Sequence, residues 1–175
     1  YTYRETVLKP RPGDRYYDSF GVHNPKITRH GDTFVLYYIM IPSDAYCATE
    51  AFKQSAGGYQ MGVATATSIE GPWTRCDEPV AAINNPALWI HEDGSVFALG
   101  KDKNLRSSDG RIYCRMVTLR ADSLFGEYKP TFRMRNSLPN GYELEDPCVW
   151  YANGQYNILV NDWKECSYLP GHPTL

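Results

Sequence analysis

Two adjacent carboxylates, Glu145 and Asp146, stand immediately before Pro147, and a third, Asp162, follows one short apolar segment later. Neighbouring carboxylates are costly to bury without partners, and a structural turn would need only one of them. Where like charges crowd a partly enclosed site, one carboxyl is driven to keep its proton while another stays ionised, which is what general acid/base chemistry requires. Cleavage of a glycosidic bond is such a reaction. One carboxylic acid protonates the leaving oxygen while a second carboxylate activates water or attacks the sugar carbon, at separations of about 5–5.5 Å for retention and about 6.5–9.5 Å for inversion. Glu145, Asp146 and Asp162 are therefore the candidate catalytic residues. His23, Asn24, Asn85, Lys101 and Trp163 are the candidate substrate-binding residues, since amides, imidazole and amine can address hydroxyls and an indole can stack on a sugar face. Each has a plainer reading as well: Asn or Asp before Pro initiates turns, and Lys101-Asp102-Lys103 suits a solvated loop.

These residues are distant in the chain, and only a repeat brings them together. Asn24-Pro25-Lys26-Ile27, Asn85-Pro86-Ala87-Leu88 and Asp146-Pro147-Cys148-Val149 align at two equal intervals of 61 residues. Each is followed by a turn rich in Gly, Asp or Asn and a returning apolar strand: Thr33–Ile39, Ser95–Leu99 and Gln155–Val160. A second echo relates Ala66-Thr67-Ser68-Ile69-Glu70-Gly71-Pro72-Trp73 to Ala121-Asp122-Ser123-Leu124-Phe125-Gly126-Glu127-Tyr128. Third strands are expected at Gln60–Thr65 and Arg111–Leu119, with fourth strands beginning at Trp73 and Tyr128. Four antiparallel strands per unit is the plan of a β-propeller blade. The sequence thus predicts an all-β fold, a β-propeller of four-stranded blades, with residues 1–175 forming a single partial domain and units starting near 24, 85 and 146. Helical periodicity is absent throughout. Three units are too few to close a ring without leaving wet edges, so further blades are expected from a longer chain or from another subunit.

In that geometry the first strand of each unit lines a central channel, and its start shares one mouth with the end of the returning strand. His23, Asn24, Asn85, Glu145, Asp146, Lys101 and Asp162 then meet in one funnel, while His30 and His91 lie at the opposite mouth. The turn of the second unit is one residue longer, so Lys101 matches either Asp162 or Asn161. Trp73 and Tyr128 are expected between blades, Trp89 and Trp150 in the core, and Trp163 beside the carboxylates as a stacking platform.

Composition narrows the partners. Lys+Arg 18 against Asp+Glu 20 gives a net charge of −2, without the cationic surplus that binds nucleic acid. No apolar run approaches the roughly 20 residues of a membrane span, so no membrane partner is expected. The opening Tyr1-Thr2-Tyr3-Arg4-Glu5 lacks a signal-peptide layout, leaving either a cytoplasmic chain or one whose leader was removed. Cys47, Cys76, Cys114, Cys148 and Cys166 match no zinc-ligand spacing, so no metal site is assigned. They are expected to be mostly reduced and buried thiols.

The run Asp18-Ser19-Phe20-Gly21-Val22-His23-Asn24-Pro25, the segment Gly62–Trp73, and Glu145-Asp146-Pro147 followed by Asn161-Asp162-Trp163 together resemble glycoside hydrolase family 43 and its relatives. The resemblance covers nearly the whole chain, about three of five blades. It implies a five-bladed propeller, a carbohydrate substrate, a glycosidase activity on a poly- or oligosaccharide, no required cofactor, and a secreted or periplasmic location. A central ion such as calcium is compatible with such a channel, although no ligand set can be read. Family members resemble one another in an Asp base at the start of blade one, an Asp modulator on blade two, and a Glu general acid on blade three, two residues before Pro. Glu145 fits the acid. The other two positions are Asn24 and Asn85, and an amide cannot take a proton at neutral pH. The base is then expected among Asp146, Asp162 and Asp18. Related mannoside phosphorylases similarly show Asn-Pro at a blade start. The alternatives are thus a non-catalytic carbohydrate-binding propeller and a glycoside phosphorylase.

Overall fold

The computed structural model describes residues 6–102, 115–134 and 142–164. The first unit holds β1 (Gly21–His30), β2 (Thr33–Ile41), β3 (Gln60–Ala66) and β4 (Thr74–Arg75). The second holds β5 (Asn84–Ile90), β6 (Val96–Asp102), β7 (Arg115–Ala121) and β8 (Lys129–Arg133), and the third β9 (Tyr142–Ala152) and β10 (Gln155–Lys164). Two four-stranded sheets, in the orders β1-β2-β3-β4 and β5-β6-β7-β8, and one two-stranded sheet follow, every pairing antiparallel. Within each unit the first two strands are joined by a short turn, whereas β2 and β3 pair across a longer connection, residues 42–59. Asn153 (φ 53°) and Gly154 (φ 76°) both take the left-handed conformation that a two-residue hairpin demands, joining Ala152 to Gln155. The third strand of the second unit is described from Arg115 to Ala121; the first positions of its expected range, 111–114, lie outside the described residues.

Alternate residues of the strands supply separate cores. Val35 and Tyr37 of β2, with Met61 and Val63 of β3, pack against Leu88, Val96, Ala98, Val117 and Leu119 of the second sheet. Ala87, Phe97, Leu99 and Met116 meet Val149, Leu144, Ile158 and Val160 of the third. Each fully buried Val, Leu or Met contributes about 1.5–3 kcal/mol by leaving water. The opposite face of the first sheet, Leu36, Tyr38, Met40 and Ala64, is covered by Tyr17 and Tyr46.

Tyr46 sits on a helix, one of two that the sequence reading excluded. These are α1 (Asp44–Cys47) and α2 (Glu50–Gln54), each a single turn or little more and too short to show a period. Their starts are fixed by side-chain caps: Ser43 Oγ accepts from Tyr46 N at 3.2 Å and Thr49 Oγ1 from Phe52 N at 3.2 Å. Tyr17, Tyr46 and Phe52 then form an aromatic cluster over the sheet.

Several expectations about large side chains change. Tyr128 is buried between the first two sheets as expected, but Trp73 packs on the covered far face of the first sheet. Trp89 joins the core between the second and third sheets. Trp150 is 43% exposed, and Leu159 on the neighbouring strand 66%. Period two along a strand explains this: Val149 faces the second sheet, so Trp150 must face away from it. Of the cysteines, Cys47, Cys76 and Cys148 are free thiols, but the first two are only half-buried and Cys148 is exposed. Cys114 and Cys166 lie outside the described residues. No helix among the described residues is long and apolar enough to cross a membrane.

Candidate active site

The three unit starts share one backbone device. Asn24, Asn85 and Asp146 have φ of 47°, 54° and 46°, a left-handed conformation that Asn and Asp tolerate better than other side chains. At each, two residues oppose one: Asn24-Pro25 fall between the pairs His23–Ile39 and Lys26–Tyr37. Asn85-Pro86 fall between Asn84–Lys101 and Ala87–Leu99, and Asp146-Pro147 between Glu145–Asn161 and Cys148–Leu159. These are β-bulges, and proline, having no N–H to lose from the ladder, suits the unpaired position. The bulge re-aims the side chain before it, which is how a repeat in sequence becomes a cluster in space.

That cluster is a hydrogen-bonded ring. Asn85 Nδ2 donates to Asp146 Oδ1 at 2.7 Å, Asn24 Nδ2 to Asn85 Oδ1 at 3.2 Å, and Asn24 Nδ2 to Asp146 Oδ1 at 3.4 Å. An ionised carboxylate only accepts, so both amides must turn their NH2 groups toward it. Asp146 Oδ2 has no partner among the described residues. Beside the ring, Lys101 Nζ donates to Glu145 Oε1 at 3.0 Å. The lysine side chain is only 4% exposed and the glutamate 27%, a partly desolvated pair in which a charge-assisted bond fixes the geometry. Strand pairing settles the register: Lys101 opposes Asn84 as Asn161 opposes Glu145, so Lys101 matches Asn161 rather than Asp162.

His23 is exposed beside the first bulge, paired with Ile39. Asp162 and Trp163 pair through their backbones with Leu144 and Glu143, and their side chains lie outside the described residues. Asp18, the third candidate base, is fully buried, with Oδ1 held by Arg11 at 2.7 Å and Oδ2 by Arg75 at 2.9 Å. Both its oxygens are committed to guanidinium groups, so Asp18 is a structural anion and not a base. At the far end of the strands from the ring, beside the turns, His91 is hydrogen-bonded to the Tyr156 hydroxyl, and among the described residues no three His, Cys, Asp or Glu side chains converge as metal ligands.

One residue escaped the sequence reading. Lys26, two positions into the first unit, extends its Nζ to the carbonyl oxygens of Pro86 at 2.9 Å and Pro147 at 2.8 Å. Burial pushes its amine below the usual lysine range, opposed by the charge of Asp146. The signal was an amine directly after Asn-Pro where the other units have Ala87 and Cys148.

Comparison with known structures agrees with this architecture. The family 117 glycoside hydrolase Zg3597 of the marine bacterium Zobellia galactanivorans superposes with a TM-score of 0.60 at 13% identity, over 87% of this chain and 51% of that one. A GH43_1 enzyme of Xanthomonas citri, in complex with xylotriose, gives a TM-score of 0.57 at 16% identity, over 83% of this chain and 49% of that one. The exo-beta-1,3-galactanase of Phanerochaete chrysosporium, with galactose, gives 0.50 at 19% identity, over 80% and 29%. This chain thus spans about half the length, or less, of the structures it matches. No match was found among curated protein sequences. The family model of glycosyl hydrolases family 43 matches residues 1–168, and with the unit-by-unit geometry above the chain belongs to that family.

Proposed function

We propose that this chain carries the acid and base of a glycosidase, hydrolysing glycosidic bonds of a poly- or oligosaccharide. The observation that carries the reading is the pairing at one mouth of Glu145, fixed by Lys101, with Asp146, fixed by Asn24 and Asn85. Lys101 addresses only Oε1 of Glu145, and we assign Oε2, which has no partner among the described residues, to protonate the leaving oxygen. Both amides meet Oδ1 of Asp146, and we assign Oδ2 to take a proton from the attacking water. The relatives' names include xylotriose and galactan chemistry, which supports a plant or microbial polysaccharide as the substrate class. The two asparagines first suggested a binding protein without catalysis. Their amides serve instead to hold the one carboxylate among the ring's three side chains.

The finer fold reading is a five-bladed propeller, of which these sheets are three blades. Its support is the exposed far face of the third sheet, where Trp150 and Leu159 stand in water while the matching faces of the other sheets are covered. Intact and native mass spectrometry distinguishes further blades in the same chain from a ring completed by a second subunit.

The activity is tested by assaying Glu145→Gln and Asp146→Asn on a panel of aryl glycosides and oligosaccharides. Each substitution should lower kcat by about 10²–10⁴ with sugar affinity retained. An unchanged kcat removes that residue from the mechanism, and binding without turnover by the unmodified protein restores the binding-module reading.

A further inference from the structure

The ring of Asn24, Asn85 and Asp146 is underpinned by a feature that the acid/base reading does not use. Pro86 and Pro147 occupy the same position in successive units, and each contributes a carbonyl oxygen to the same point. Carbonyls brought together in this way turn the negative ends of their dipoles on one another and call for a cation between them. The Lys26 ammonium stands there, at 2.9 and 2.8 Å. An ammonium has three donors; two meet these carbonyls, and the third has no partner among the described residues. The equivalent positions of the other units, Ala87 and Cys148, have no side chain able to supply positive charge, so one lysine serves all three sheets. Its stem starts two residues beyond Asn24, and its charge lies within electrostatic reach of Asp146.

We propose that Lys26 is a tethered axial cation: its ammonium takes the place of a free ion among the Pro86 and Pro147 carbonyls and acts as a positioning residue for Asp146, immediately before Pro147. The bond to Pro147 holds the Pro147–Cys148 peptide, one residue beyond the proposed base, and the bond to Pro86 holds the Pro86–Ala87 peptide, one residue beyond Asn85, its hydrogen-bond donor. Lys26 therefore sets the distance between the two sides of the ring without touching substrate. The positioning half of the proposal rests on the glycosidase reading; the cation half does not.

The test uses the whole protein with Lys26→Ala and Lys26→Met. Truncation to Ala removes the side chain beyond Cβ, and n-propylammonium has the size and charge to refill that space, while 1-propanol has the size alone. Titration calorimetry should show n-propylammonium binding to Lys26→Ala and not to the unmodified protein, with 1-propanol binding to neither. Equal binding of 1-propanol, or no binding of either probe, overturns the axial-cation assignment. In kinetics, Lys26→Met, which keeps the bulk and folds without a cavity, should lose at least about tenfold in kcat with KM little changed, and n-propylammonium should restore kcat to Lys26→Ala. A kcat for Lys26→Met equal to that of the unmodified protein overturns the positioning role. If the unmodified protein hydrolyses no glycoside, it is the glycosidase reading that fails, and the calorimetry alone then decides the cation assignment either way.

Discussion

The amide of Asn85 donates to Oδ1 of Asp146 at 2.7 Å, across the gap between the second and third sheets, from one left-handed bulge to the next. A neutral donor thus stands where family resemblance leads one to expect a second acid. The local backbone would accept either residue, because Asp and Asn share the tolerance for positive φ.

Asn85→Asp is therefore expected to fold with its bulge intact and to change the electrostatics alone. Two carboxylates at this distance cannot both ionise cheaply, so the folded pair holds a proton to a higher pH than the unfolded chain does. A raised folded value means that the variant's stability is full in acid and is lost as pH rises through that value. Melting curves across the acid to neutral range should show the variant diverging downward from the unmodified protein as pH increases. Parallel curves would mean that the two side chains are not in contact.

Gly100 opposes the second bulge, and a Cβ there would lie 2.9 Å from the Asn84 carbonyl oxygen and 2.9 Å from Ile83 Cβ. Neither neighbour is the loose end of a flexible side chain. Gly100→Ala should cost about 1–3 kcal/mol of stability. Because the displaced peptide precedes Asn85, kcat should fall as well, with KM less affected. Chemical denaturation and steady-state kinetics on the same preparation check both, and full activity at reduced stability would uncouple the bulge from the site.

Asp18 accepts from Arg11 and Arg75 with no exposure to solvent, and its removal leaves two guanidinium groups facing a vacated site. Asp18→Ala should destabilise the protein by about 3–5 kcal/mol. The folded fraction should keep its kcat within about twofold, well short of the loss of 10² or more expected for a lost base. A loss of that larger size in folded protein would return Asp18 to the mechanism.

Buried phenols set the alkaline limit. Burial, aided by the adjacent Glu78 carboxylate, pushes Tyr46 up to about 12 from an ordinary value of 10.0. Tyr38 and Tyr128 are raised further, and Tyr17 and Tyr37 move in the same direction, chiefly through burial. Raised folded values give stability that is complete below pH 10.0 and is lost towards about 12 for Tyr46. Tyrosinate absorbance should rise first for the exposed phenols and then in one cooperative step that coincides with unfolding by circular dichroism. A single smooth titration with the fold retained would contradict this burial.

What the sequence made legible was whatever local chemistry dictates. Asn-Pro and Asp-Pro at equal intervals marked the bulges, and Asn153-Gly154 marked a hairpin. Relationships between units were harder to read. Lys26 looks like a surface lysine until Pro86 and Pro147 are folded around it. Lys101 could be matched to Asn161 only once pairing absorbed the longer Glu92-Asp93-Gly94 turn. The helices after Ser43 and Thr49 are too short for a period to show, and Trp150 looked like core because inner strands usually have neighbours on both faces.

The proline that follows each bulge residue also governs how the site ages. Asparagine loses its amide when the next peptide nitrogen attacks its side-chain carbonyl, and a proline nitrogen carries no hydrogen and cannot close that imide. Asn24 and Asn85 are shielded in this way, whereas Asn140 and Asn153, each ahead of a glycine, are not. Chemical wear in storage will therefore add negative charge at these Asn-Gly steps, and the ring of Asn24, Asn85 and Asp146 will keep its two amides and one acid for as long as the chain survives.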